Sequence, residues 1–404
     1  MKNIILFDSD VREHLLPLTF TRPVCELRVG ILTIREKWER ALSGKASYIT
    51  QEYLSDKYEI SISQENWVIN GSILPNPQLL AEIERLGSDE ALLYKDELIA
   101  AKLGREQFGL LMKEEDNQEL VGREIEGVEI ARINRPYDIF RLNHQEIEAD
   151  FNRITEGRRS QELSSTNQVI GPQDRIFIEP GAKVECAVLN AESGPIYIGK
   201  NAVVMEGSLI RGSFALCENA QVKMGAKIYA GTTIGPWSKV GGEVSNSVIQ
   251  GYSNKGHDGF LGNSVLGEWC NLGADSNNSN LKNNYAEVRL WDYATGSFAK
   301  TGLQFCGLIM GDHSKCGINT MFNTGTVVGV GANIFGSGFP RNFIPSFAWG
   351  GASGFTTFNV EKAIKTAELV LDRRGKTLSP EERIIFLRVF EDTAQYRRWE
   401  KKPE

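Results

Sequence analysis

The residue best suited to acid–base chemistry is His257, one of only four histidines in a chain of 404 residues. It lies in the stretch Gly256–Asn280, which reads GHDGFLGNSVLGEWCNLGADSNNSN. An imidazole titrates near neutral pH, so a histidine in an irregular segment suits removal of a proton from an amine or a hydroxyl. The same side chain also serves as a hydrogen-bonding post for its own loop, and the local sequence leaves both roles open. A zinc centre fits less well, because it needs three or more ligands. Only His257 and His313 fall in this part of the chain, 56 residues apart. The six cysteines (Cys25, Cys186, Cys217, Cys270, Cys306 and Cys316) form no CxxC pair and read as free thiols of a reducing compartment.

The element that must hold His257 has a beat of six. Ile198, Val204, Ile210, Leu216, Val222, Ile228, Ile234 and Val240 are each six residues after the last. Four positions beyond each stands a mostly small residue, from Ala202 and Ser208 to Ser238 and Val244. The phase recurs at Ile178 and Val184, at Phe260, Leu266 and Leu272, and at Met310, Cys316, Phe322, Val328 and Ile334. Neither a helical period nor strand alternation gives a repeat of six. A hexapeptide repeat builds a parallel β-helix in which the aliphatic residue points into a narrow prism. The beat breaks over residues 246–259 and 277–297, and function is expected at those breaks.

Before the prism, residues 3–7, 67–69 and 91–93 read as short strands, and residues 29–42, 77–86 and 137–155 carry helical spacing. That alternation predicts a Rossmann-like α/β domain with a mostly parallel sheet. The expected division is an α/β domain over 1–156, a linker over 157–173, the β-helix over 174–340 and a C-terminal extension over 341–404. The extension holds two helices, 359–373 and 380–400, the second capped by Ser379 with Pro380 and Glu382 following. Net charge is −7 without a large basic cluster, which argues against nucleic acid as the main partner. No stretch reaches the length of a membrane span, and the apolar run at the N-terminus is too short for a signal peptide. A cytoplasmic protein is expected.

The segment Gly256-His257, Phe260-Leu261-Gly262, Leu266-Gly267, Asn271-Leu272-Gly273-Ala274 and Asn280 resembles the acetyltransferase motif of a bifunctional family. That family comprises the N-acetylglucosamine-1-phosphate uridylyltransferase/glucosamine-1-phosphate N-acetyltransferases. Its motif runs approximately G-H-L-x-Y-L-G, I-G, N-x-G-A-G-T, N-Y-D-G. The resemblance covers residues 228–338 and implies a left-handed β-helix that packs as a homotrimer and uses acetyl-CoA. It implies that His257 is the catalytic base and that Phe260, Asn271, Asn280 and Lys239 bind the acceptor. It implies that Ala274 and Thr301, with Gln304 nearby, face acetyl-CoA. Phe260 replaces the family's tyrosine, Asn280 is followed by Leu281-Lys282 rather than Tyr-Asp, and Lys239 takes the place of an arginine.

In the same family the first strand leads into G-x-G-T-R-x-x-P-L-T-x-x-x-P-K. There, glycines let the backbone approach nucleotide phosphates and Arg and Lys offset their charge. This chain keeps Arg12, Pro17-Leu18-Thr19 and Arg22-Pro23, but lacks the glycines and has Val24 where the lysine belongs. The resemblance implies nucleotide binding by Arg12, Arg22, Asn70 and Gly71. Ser72 stands in the place of a Mg²⁺-binding aspartate, and Asn134, in Ile133-Asn134-Arg135, matches a second metal-ligand segment. The resulting expectation is a degenerate sugar-1-phosphate nucleotidyltransferase domain, using Mg²⁺ if active, joined to a β-helix acetyltransferase acting on an amino-sugar phosphate or nucleotide sugar. The alternatives are a sugar-1-phosphate nucleotidyltransferase with a structural or regulatory β-helix, and a non-catalytic nucleotide-sugar-binding scaffold.

Overall fold

The computed structural model describes residues 1–112 and 121–400, apart from the side chains of residues 111 and 112. The chain divides into two compact units. One comprises Met1–Leu15, Arg22–Leu27 and Leu32–Arg135; the other comprises Leu16–Thr21, Arg28–Ile31 and Pro136–Glu404.

The first unit is built on β1 (Lys2–Phe7), β2 (Gly44–Ile49), β3 (Glu65–Asn70), β4 (Glu90–Tyr94), β5 (Glu97–Gly104) and β6 (Val121–Glu124), in the order β2-β1-β3-β5-β4-β6. Ile4, Ile5, Leu6 and Ile69 are fully buried, as expected for strands covered on both faces. The sheet is mostly parallel, as expected, and among the described residues β5 alone runs against the other strands. β1 runs parallel to β2 and β3, but β5 is antiparallel to both β3 and β4. The cause is the tight turn at Lys95-Asp96, where both residues have positive φ and fold β4 and β5 into a hairpin. The helix expected over 29–42 starts later, at Ile34, because Thr33 and Glu36 form a capping box there.

The second unit is a three-sided prism of parallel strands, of the left-handed β-helix class. Its three faces open with Gln168–Ile170, Ile176–Ile178 and Lys183–Val184. The eight aliphatic residues of the beat from Ile198 to Val240 all point inward and are at most 2% exposed. Each coil stacks on the next through their backbones. The third face shows the spacing: Gln221 pairs with Lys239 (eighteen residues on), Lys239 with Asn254 (fifteen), Asn254 with Asn271 (seventeen) and Asn271 with Lys315 (forty-four).

The two breaks therefore differ in kind. The first is a pair of shortened coils in which pairing never lapses. Within it Leu261, not Phe260, points into the core, and the inward position after Val240 is taken by Lys255. The second is an insertion that leaves the prism and returns, carrying the antiparallel hairpin Arg289–Asp292/Ser297–Lys300. The coils also extend beyond 174–340: Gln168–Ile170 pairs with Val188–Asn190, and Phe343–Ile344 and Ala348–Gly351 continue the second and third faces.

Between the second and third faces one corner position repeats in the left-handed conformation. It is occupied in turn by Gly181, Asn201, Asn219, Trp237, Tyr252, Trp269, His313, Gly331 and Phe347. The rings of Tyr252 and Trp269 stack at 4.4 Å, and Trp269 stacks on His313 at 6.2 Å.

Two further elements cover the prism. The Pro136–Thr155 helix lies across the second face, where the Asn143 Nδ2 donates to the Gly231 carbonyl (2.7 Å) and the Thr233 hydroxyl (3.0 Å). The Gly30 N–H donates to Asn143 Oδ1 (2.7 Å) and the Ile31 N–H to Asp150 Oδ2 (2.9 Å). A Cβ at Gly30 would lie 2.6 Å from Asp150 Oδ2, and φ there is +82°, so glycine is required. The C-terminal helices Val360–Asp372 and Pro380–Asp392 follow, the second with the expected Ser379–Glu382 capping box. Phe386 meets the His313 ring edge-on at 4.8 Å, so these helices pack on the aromatic corner of the prism.

Candidate functional site

In the second unit the expected residues gather at the shortened coils. His257 follows the third-face strand Asn254–Lys255, at the corner leading to Phe260–Gly262 on the first face. Its ring is exposed and, among the described residues, no side chain hydrogen-bonds or pairs with it. Ala274 stands seventeen residues on, in the same column of the next coil, as the Asn254–Asn271 pairing and the Asp275 N–H to Asp258 carbonyl bond (3.0 Å) require. The Ala274 carbonyl accepts from the Asn319 N–H (2.8 Å), whereas its own N–H has no partner among the described residues.

The corner has an unusual support. Lys255 is 2% exposed and occupies the inward column otherwise filled by Val222, Val240, Leu272, Cys316 and Ile334. Its ammonium turns back to donate to the carbonyls of Gly241 (2.9 Å) and His257 (2.7 Å). Burial lowers its pKa to about 8, the partial opposition coming from Asp258 and Asp275. The sequence reading missed this residue. The available signal was a lysine fifteen residues after Val240, in the column where an aliphatic belongs.

The asparagines are coil-to-coil staples. Asn254 Nδ2 donates to Asn271 Oδ1 (2.9 Å), and Asn280 Nδ2 to Asn263 Oδ1 (2.8 Å). Asn278 closes the set with both halves of its amide, accepting from the Gly262 N–H (2.9 Å) and donating to the Gly262 carbonyl (3.1 Å). Phe260 points outward, and its ring and the Asn280 amide both border Gly262. Lys239 lies in the Asn271 column, two coils away. Thr301 is elsewhere: its hydroxyl donates to the Val288 carbonyl (2.8 Å) at the base of the inserted hairpin. The structure thus brings together His257, Ala274, Phe260, Asn271 and Lys239 on neighbouring coils, with Asn280 at the next corner and Thr301 apart.

In the first unit the candidate nucleotide-binding residues meet at the carboxyl ends of β1, β2 and β3, where open α/β sheets bind ligands. Asp8 follows β1 and accepts from the Val24 N–H (2.8 Å) and the Thr50 hydroxyl (2.7 Å), with Arg12 Nε 3.7 Å away. Burial raises the Asp8 pKa, and Thr50, Val24 and Arg12 oppose the shift. Arg12, itself buried, donates to the Tyr53 hydroxyl (2.7 Å); Arg22 is buried two residues before Val24. Asn70 ends β3, its Oδ1 accepting from the Ser72 N–H and hydroxyl. The Gly71 N–H caps the Phe7 carbonyl (2.8 Å) and the Ile133 N–H reaches the Ser72 carbonyl, which places Asn134 beside the same edge. Asp8 and Tyr53 were missed because their partners lie up to 42 residues away in sequence.

The donor set suits a nucleotide better than a protein-held metal. Among the described residues no three His, Cys, Asp or Glu side chains converge, and both Asp8 oxygens are already engaged. Asn70, Ser72 and Asn134 do not make a carboxylate site for Mg²⁺. No helix is long and apolar enough to cross a membrane among the described residues.

Residues 4–159 match the family model described as sugar nucleotidyl transferase, from β1 of the first unit through the Pro136–Thr155 helix. None of the curated proteins matches the chain. Among solved structures, one similar chain is a UDP-N-acetylglucosamine acyltransferase from Bacteroides fragilis 9343, at 14% identity and a TM-score of 0.23, covering 56% of this chain and 95% of that one. Another is the Arabidopsis UDP-N-acetylglucosamine acyltransferase, at 14% identity and a TM-score of 0.21, covering 58% and 91%. Likenesses of that size carry nothing beyond themselves; the β-helix rests on its own strand register.

Proposed function

We propose that the chain is a transferase of nucleotide-sugar metabolism that moves an acetyl group from acetyl-CoA to the amine of an amino-sugar phosphate or nucleotide sugar. The observation that supports this best is the His257 corner: an exposed imidazole without a side-chain partner among the described residues, its backbone held by the buried Lys255, one coil from the unpartnered N–H of Ala274 in the same column. In this reading the acceptor nitrogen attacks the thioester carbonyl, forming a C–N bond as the C–S bond breaks. His257 takes the proton from the amine, and the coenzyme leaves as its thiol. Phe260, Asn271, Asn280 and Lys239 hold the acceptor, while Ala274 and Thr301 meet the coenzyme.

The first unit binds a nucleotide or sugar nucleotide through Arg12, Arg22, Asn70 and Gly71, with slow turnover or none. Loss of the phosphate-cradling glycines removes transition-state stabilisation more than binding. The assembly is a homotrimer in the cytoplasm, and any Mg²⁺ enters with the nucleotide phosphates, with Asn134 nearby.

The test is release of free thiol from acetyl-CoA in the presence of a panel of amino-sugar phosphates and amino nucleotide sugars. Saturable release with one acceptor supports the assignment, and no release with any of them removes it. A second reading, sugar-1-phosphate nucleotidyl transfer with a structural prism, is favoured by the half-buried Asp8–Arg12–Tyr53 cluster at the strand ends. Release of pyrophosphate from UTP or dTTP with a sugar 1-phosphate, at rates typical of enzymes, would select it.

A further inference from the structure

On the third face the outward positions form two columns. One runs Gln221, Lys239, Asn254, Asn271, Lys315. The other, two residues further along each coil, runs Lys223, Gly241, Gly256, Gly273, Gly317 and Phe335. The four glycines permit close stacking: a Cβ on Gly241 would lie 2.8 Å from the Gly256 carbonyl oxygen, and one on Gly273 2.4 Å from the Gly317 backbone. The by-product is a strip without side chains, roughly 15–20 Å long at the usual strand spacing. Asn254 and Asn271 flank it on one side, His257 and Ala274 on the other.

Cations gather at the Lys223 end of this strip. Lys223 donates to Gln221 Oε1 (2.9 Å) beside Lys239, and the turn Arg373–Lys376 closes the Val360–Asp372 helix against the same region. Backbone bonds from Arg374 (2.8 Å) and Lys376 (3.1 Å) to the Leu371 carbonyl fix the turn, and the Lys376 ammonium sits 5.1 Å over the Tyr252 ring. Burial lowers the Lys239 pKa, and Arg374, Lys223 and Arg373 lower it further. Burial lowers that of Arg374, again with Arg373 adding to it. Among the described residues, none of these five cations forms an ion pair with a carboxylate. A helix C-terminus favours Arg373 and Arg374 on its own account. It does not account for Lys223 and Lys239, which stand on the prism. Like charges held together without a counter-charge are a cost that a bound anion removes.

We propose that Lys223, Lys239 and the Arg373–Lys376 turn bind a phosphoryl anion at the end of the glycine strip that passes His257. The inference rests on the acetyl-transfer reading only for the reaction the anion serves. Phosphoryl groups could come from a sugar phosphate acceptor or from the coenzyme, and the strip leads from the cations to the base in either case.

The test is calorimetric titration of the full chain, without turnover, using inorganic pyrophosphate, then glucosamine 1-phosphate and coenzyme A separately. The Arg374→Ala/Lys376→Ala variant should bind pyrophosphate at this site at least about tenfold more weakly, since charge-assisted contacts are the stronger ones. Lys223→Ala should weaken the same component, and Arg374→Lys should retain it, while binding by the first unit stays common to all four proteins. The ligand whose affinity falls in the double variant identifies the source. Superimposable isotherms for wild type and variants, or no saturable binding of any of the three ligands, would overturn the site. Loss of anion binding in a protein that acetylates nothing would keep the site and reject the acetyl-transfer reading. Acetyl transfer with unchanged anion binding would do the reverse.

Discussion

The Lys255 ammonium donates to the His257 carbonyl at 2.7 Å from inside the prism, so the exposed histidine is anchored by a charge buried two residues before it. A lysine at an inward position costs stability when charged, and what it fixes is the path of the corner.

That cost predicts a pH dependence. The folded pKa of about 8 lies below the unfolded 10.5. Below pH 8 both states hold the proton and the full penalty, about 3 kcal/mol, is present. Between pH 8 and 10.5 the unfolded chain binds a proton that the folded chain has released, so stability rises with pH. Urea denaturation at pH 7.5 and 10 should show this gain in the wild type and a flatter profile in Lys255→Met. Parallel profiles would mean that the amine is not buried.

For His257, replacement by alanine should lower kcat for acetyl transfer by about 10²–10⁴-fold and leave acetyl-CoA affinity nearly unchanged. The residue is exposed, so melting temperature should move little. Near-full transfer by the variant would return the histidine to a loop role.

The asparagine staples separate binding from stability. Asn278→Ala leaves the buried Gly262 N–H without its partner and its carbonyl with the Ser264 hydroxyl, and should cost about 1–3 kcal/mol in denaturation. Asn271→Ala, on a half-buried pair with Asn254, should cost about 1 kcal/mol and raise the acceptor KM more than it lowers kcat. Equal stability losses would show that the two rungs do not differ.

In the first unit, Arg12→Ala removes the donor to Tyr53 and the charge beside Asp8. Nucleotide affinity, measured by fluorescence or calorimetry, should fall about tenfold or more, with weaker salt dependence in the variant. An unchanged Kd would place the nucleotide elsewhere.

The periodic parts of the fold were legible because the inward column from Ile198 to Val240 is almost purely aliphatic, and because Ser379 and Glu382 lie at capping-box spacing. Legibility failed where an inward residue was polar. Lys255 reads as a break although pairing continues through it, and the reading then resumed one residue early, at Phe260 instead of Leu261. The Pro136–Thr155 helix bonds the prism through Asn143, a polar contact that no apolar pattern in the sequence announces. The pairs Asn254–Asn271 and Arg12–Tyr53 have no local signature, since stacking and strand order alone bring them together.

The aromatic corner bears on how the chain is made. Glycine and asparagine take a left-handed backbone cheaply, but Trp237, Tyr252, Trp269 and His313 do so at about 1–3 kcal/mol each. Stacking of Tyr252, Trp269 and His313 and the Phe386 contact offset that strain, and Phe386 belongs to a helix synthesised after all the coils. On the ribosome the early coils can close as they emerge, since each needs only its neighbour. The rungs around residues 237–313 stay loosely latched until the Pro380–Asp392 helix arrives. The C-terminal helices therefore act as a late lock, and chains truncated before Pro380 are the ones expected to be cleared by proteolysis.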